Sequence, residues 1–267
     1  MEPQIFNPMG QKKEPEFKTL FDVVNLPSKG IFYPVVDGKH IESVYVEHMT
    51  ALDEQLLLSP NLVQSGKAFD LLIQKKVKDP EFKKVDMLTC DRNAILMFLR
   101  MSAYGPYYDV NVTSPFTGEV FKATVDLQKI VEKELNELPN ESNEYIYTTK
   151  DQKHVITFKI LTHSQEETIR EQCEAIKKVK NGNDADETPL KLMVNRITSL
   201  DSNPDKSRIQ NYIYTLKPVV FKELVKAIEE VTPGLVMRYE YTCPSTGKKF
   251  LSWIPITSEF FYPSDEL

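Results

Sequence analysis

The chain has 267 residues, 41% hydrophobic and 27% charged, with a net charge of −6. That length suffices for one large domain or two small ones around a buried core, and the acidic balance lacks the electrostatic footprint of a nucleic-acid binder. The longest apolar run, Ala94 to Leu99, is far too short to span a bilayer, and three widely spaced cysteines, Cys90, Cys173 and Cys243, make no disulfide framework.

The N-terminus has no apolar core followed by a small-residue cleavage site, so the expectation is a chain folded with free thiols in a reducing cytoplasm. Residues 1 to about 20 contain three prolines among polar residues and read as an extended arm. An apolar strand in FDVVN then runs into the turn Pro27-Ser28-Lys29-Gly30. Alternation predicts a strand from His40 to Val46. Thr50 reads as an N-cap, with Asp53 three residues on to complete a capping box. Helices are predicted over Gly66 to Val77 and after Thr89 or Asp91, where Ile95, Leu96, Leu99 and Ala103 take helical spacing up to Gly105-Pro106. YYDVNVTS and EVFKATVDL alternate as two strands joined by Pro115-Phe116-Thr117-Gly118.

The second half follows the same plan. VITFKIL alternates, Thr162 and Gln165 form a cap, and a helix is expected to run to about Lys180. The polar stretch KNGNDADE reads as a loop, and helices are predicted at 188–199, 206–216 and 218–231. LVMRYEYT and KFLSWIPI then make a hairpin around Pro244-Ser245-Thr246-Gly247. A constant offset of 129 places Gly105 on Gly234, Pro115 on Pro244, Gly118 on Gly247 and Phe121 on Phe250, with Ile95, Leu96 and Leu99 on Leu224, Val225 and Ile228. The two caps, Thr50 and Thr162, lie 112 apart, so the second copy holds 17 more residues. The expected fold is α+β, two related units of helices packed with a hairpin, arising by internal duplication. Its parts are an arm at 1–20, a first unit at 21–138, a second at 139–256 and an aromatic tail at 257–267.

The turn in YTCPSTGKKF resembles half of a zinc knuckle, with Thr246 at the second thiolate position, and SPFTG is the same turn with neither cysteine, carrying Ser114 and Thr117. A structural zinc site needs about four thiolate or imidazole ligands. The four histidines and three cysteines include no C-x-x-C or H-x-x-x-H pair. No metal and no cofactor are therefore expected. Gly66-Lys67 and Gly247-Lys248 both lack the rest of a phosphate loop, and no hydrolase, metalloprotease or dinucleotide signature occurs. The protein is expected not to be an enzyme. Asp91-Arg92 reads as an acidic residue complementing a helix dipole beside an arginine free to pair with a neighbour or a partner. Aromatics cluster in GPYYDV, MRYEY and EFFYP. Arg92, Tyr107, Tyr108, Phe260, Phe261 and Tyr262 are the candidate partner-binding residues, with the tail either folded back on its own domain or docked on another subunit.

The blocks LPSKGIFYP, MTALDEQLLLSPNLVQSGKAFDLLI, CDRNAILMFLRMSAYGPYYDV and SPFTGEVFKATVDL resemble the baseplate hub protein family of T-even-type bacteriophages. The resemblance covers roughly residues 20 to 128 and reaches the second hairpin and PITSEFFYP more loosely. Members of that family often carry Cys-Pro-x-Cys-Gly at the hairpin; Ser114, Thr117 and Thr246 depart from it, which removes any inherited zinc. The resemblance implies a structural part of the central hub in the tail baseplate of a contractile-tailed phage. Its partners would be other baseplate and tail proteins, with neither nucleic acid nor membrane, in a symmetric assembly that could hold several copies. An assembly chaperone outside the virion and a degenerate zinc-ribbon module are the alternatives. Deleting 257–267 is expected to abolish incorporation while leaving the body folded.

Overall fold

The computed structural model of the protein describes residues 20–58, 67–135, 137–179, 185–254, 256 and 258–261. Small antiparallel sheets alternate with helices along the chain, so the fold is α+β. Strands β1 (Phe21–Asn25) and β2 (Ser43–Glu47) pair with Val23 opposite Tyr45. The predicted second strand thus starts three residues later than its alternation suggested. His40 to Glu42 are occupied in closing the turn region, where His40 Nδ1 lies 3.2 Å from the Gly30 carbonyl oxygen. Gly30 sits at φ +68°, and a Cβ there would lie 2.4 Å from the Ile41 carbonyl oxygen, so both the conformation and the space demand glycine.

Helix α1 (Ala51–Leu57) starts at the predicted cap. The backbone N–H and the hydroxyl of Thr50 each donate to Asp53 Oδ2 at 2.8 Å. Helix α2 (Lys67–Lys76) brings two lysines onto that carboxylate. Lys75 Nζ lies 2.6 Å and Lys76 Nζ 2.5 Å from it, with Lys76 only 2% exposed. Helix α3 (Thr89–Tyr104) buries Ile95, Leu96 and Leu99 completely and ends at Gly105, in the left-handed region of φ. The hairpin β3 (Tyr107–Thr113) and β4 (Val120–Asp126) follows.

The second half opens with strands β5 (Glu144–Thr148) and β6 (Val155–Lys159), then helix α4 (His163–Val179). Helix α5 (Thr188–Arg196) ends short of its predicted limit, because Ile197–Leu200 leaves the helix as strand β7 on the edge of β6. Neither β5 nor β7 was expected from sequence. Helices α6 (Lys206–Thr215) and α7 (Pro218–Val231) match their predicted spans, and β8 (Arg238–Thr242) with β9 (Lys249–Trp253) forms the second hairpin. Most of the KNGNDADE loop and residues 1–19 lie outside the described residues.

Buried apolar residues form two main clusters. One contains β1, β2, α2, α3 and β3–β4, and takes in Met237, Tyr241, Ile254, Phe260 and Phe261 from the end of the chain. The other is built from β5, β6, β7 and α5 to α7. Between them, Thr162 and Ser164 at the start of α4 both donate to Asp86, and His163 N–H donates to Met87 O at 2.8 Å. Glu166 accepts from Thr89 at 3.0 Å and from Arg196 at 2.7 Å. No described helix is long and apolar enough to cross a membrane.

Candidate interaction surface

The candidate residues on α3 and the tail meet in one aromatic stack. Arg100, 2% exposed, projects from α3 and donates through Nε to Phe260 O at 2.6 Å, through Nη1 to Gly105 O at 3.3 Å and through Nη2 to Tyr107 O at 3.2 Å. Its guanidinium also lies 4.9 Å from the Tyr104 ring and 5.9 Å from that of Tyr108. The stack continues with Tyr108 against Phe260 at 5.0 Å, Phe260 against Phe261 at 5.4 Å, and Phe261 against Phe69 at 5.4 Å. Arg92 closes it, 5.6 Å from the Phe69 ring and paired to Asp70 at 2.8 Å. Tyr108, Phe260 and Phe261 are thus buried inside their own chain. In the described part of the tail, Phe260 and Phe261 fold back on their own chain, where two adjacent phenylalanines gain more by entering the α3 core than by remaining in water. Arg92 is nearly buried, Tyr107 is 64% exposed, and Tyr262 lies outside the described residues. Sequence offered no sign of Arg100 as the residue that holds the tail.

A second buried centre joins two of the unusual sequence blocks. Asp91, in the first turn of α3, accepts from the Ser28 backbone N–H at 3.0 Å, from the Ser28 hydroxyl at 2.6 Å and from the Tyr33 hydroxyl. Tyr33 in turn accepts from Leu88 N–H at 2.9 Å. Burial raises the pKa of Asp91 and pushes the Tyr33 phenol well above its ordinary value, the neighbouring Asp91 charge adding to the latter shift. Asp91 is fully buried, so this carboxylate pins the LPSKGIFYP turn to α3 and is closed to a substrate.

The two knuckle-like turns come together in space. Each closes with the same bonds: Gly118 N–H to Ser114 O at 2.9 Å in one, and Gly247 N–H to Cys243 O at 2.8 Å in the other. The Ser114 hydroxyl donates to Cys243 Sγ at 3.2 Å, with Ser245 Oγ 3.3 Å from the same sulfur. Hydrogen bonds from Ser114, Ser245 and Thr246 pull the thiol down to about 6. Hydroxyls therefore satisfy the one knuckle cysteine, and among the described residues no three His, Cys, Asp or Glu side chains converge on a metal position. Below the turns the hairpins pack face to face, with Phe250 5.9 Å from Phe116 and 6.3 Å from Phe121.

What the body exposes lies elsewhere. The outward face of β8–β9 presents Leu251 at 66% and Trp253 at 61% exposure, and the β1–β2 hairpin presents Phe21 and Val23. Other large apolar side chains left exposed include Leu52, Val120 and Ile146. A comparison with protein-family models matches residues 33–261 to the T4 bacteriophage base plate protein family. No curated protein and no solved structure matches the chain. The matched span begins at Tyr33, which bonds to Asp91, and ends at Phe261 of the tail stack, and the chain belongs to the T4 bacteriophage base plate protein family.

Proposed function

We propose that the protein is a structural component of the central hub in the tail baseplate of a contractile-tailed phage, acting through protein–protein contacts and not through catalysis. The family match over residues 33–261 carries this reading. The fold supports it in kind: Asp91 and Asp53 are sealed in structural networks, while large apolar side chains remain outside. We read the body as two related units at 21–138 and 139–256. In support, α3 and α7 begin 129 residues apart, and the two turns repeat their bonds at the same offset. Residues 1–20, almost all outside the described residues, would contact neighbouring baseplate proteins. Several copies could then sit around the axis of a symmetric assembly.

Depletion of the protein tests the reading. Particles made without it should lack intact baseplates by negative-stain electron microscopy. Intact baseplates in its absence would overturn the proposal.

A further inference from the structure

The two hairpins share a frame but treat their outward faces differently. On β3–β4 Tyr107 and Val120 are exposed, but the polar centre of the face satisfies itself: Asp109 accepts from Thr124 at 2.6 Å and pairs with Lys122 at 3.0 Å. At the offset of 129, these three positions become Arg238, Trp253 and Leu251 on β8–β9. Arg238 pairs directly across from Trp253, its guanidinium 4.8 Å from the ring of the only tryptophan in the chain. Among the described residues no carboxylate pairs with Arg238; the one acid on this face, Glu240, is taken by Lys249 at 2.7 Å. Lys248 at the turn lies against the Phe116 ring instead of an acid. Val236, two residues before Arg238, prolongs the exposed apolar row.

An acidic chain therefore carries one face on which cations outnumber carboxylates around an exposed tryptophan and leucine. We infer that the outward face of β8–β9 docks an acidic segment of another tail protein. A carboxylate of that segment would pair with Arg238, and a neighbouring apolar side chain would pack on Trp253 and Leu251. Tryptophan and arginine are the residue types that most often dominate such contacts, and a stacked guanidinium is preorganised for a carboxylate. This inference rests on the proposed baseplate role and names the surface through which it is exercised.

The test complements a phage carrying an amber mutation in this gene with variants of the full chain, scoring infective yield and the amount of the protein in purified particles. Trp253→Ala and Arg238→Glu point outward and should keep the wild-type melting temperature, yet each should lower the yield about tenfold or more. Arg238→Lys keeps the charge but loses the stacked planar fork, and should fall between wild type and Arg238→Glu. A photo-cross-linker at position 251 should join a tail-protein peptide containing Asp or Glu. Wild-type yield from both variants would overturn the surface while leaving the baseplate reading intact. Loss of yield with wild-type protein missing from particles would leave the surface standing and overturn its permanent place in the baseplate. A cross-link to DNA or to a second copy, or none to an acidic peptide, would overturn the assigned partner.

Discussion

Asp53 illustrates how one side chain can serve a local and a tertiary role together. Its position three residues after Thr50 makes the capping box, which was legible because it needs only spacing along the chain. Its second role was not legible, since nothing in the sequence places Lys76, almost wholly buried, against it. Burial alone would raise the pKa of Asp53, but hydrogen bonds from Lys75, Lys76 and Thr50 outweigh that and hold it well below the ordinary carboxylate range. The folded value lies below the unfolded one, so the stabilisation is complete above the unfolded pKa and drains away as pH falls below about 4. Asp53→Asn leaves the buried Lys76 ammonium with only the more distant Glu47 carboxylate, at 3.5 Å, and should cost about 2 kcal/mol at neutral pH. It should also flatten the acid limb of a pH–stability curve measured by urea unfolding; an unchanged acid limb would exclude Asp53 as its source. Gly30 makes a steric prediction. Gly30→Ala meets backbone, which cannot swing aside as a flexible side chain can, and should lose at least about 2 kcal/mol in the same assay.

At the scale of elements, the long periodic helices and both Pro-Gly hairpins could be read from sequence, whereas β5 and β7 could not. Ile197 continues the helical spacing of Leu190, Met193 and Val194, yet Ile197–Leu200 pairs with β6 as a strand, which its β-branched Ile197 and Thr198 favour. The aromatic tail was visible as a cluster, but its destination depended on Arg100, a residue of α3 that reads in sequence as an ordinary helix former. That contact changes what deleting 257–267 is predicted to do to the body. The body loses two fully buried rings and leaves Arg100 without one of its carbonyl partners. Phe260→Ala and Phe261→Ala should each cost about 3 to 4 kcal/mol by denaturant unfolding, and the deletion should compromise folding itself. A truncated chain that melts like the intact one would refute the packing described for the tail. The two turns offer an independent check. Since Ser114 Oγ lies 3.2 Å from Cys243 Sγ, Ser114→Cys should form an intramolecular 114–243 disulfide under mild oxidation, identified by peptide mapping. Failure to form it would mean that the hairpins do not meet at their tips.

At the scale of the whole molecule, the chain spends its unusual residues on fastening itself together. Ser28, Tyr33 and Asp91 lock the first turn to α3, Asp86 and Glu166 join the halves, and Arg100 draws in the end of the chain. Such a body is suited to hold its shape while neighbours bind to the faces left outside, which is the demand a baseplate makes of its components. The sequence blocks pointed to this family before any contact was known. Two of those blocks, LPSKGIFYP and CDRNAILMFLR, lie far apart along the chain and meet in a single buried centre. The surfaces were less legible, because an exposed tryptophan and a core tryptophan look alike in a sequence. The central claim is that the protein is a building block of the baseplate. Quantitative mass spectrometry of purified particles tests it most directly, measured against another tail component. The account predicts a fixed stoichiometric amount in every preparation; absence from the particles, with abundance in the infected-cell lysate, would contradict it and make the protein an assembly chaperone.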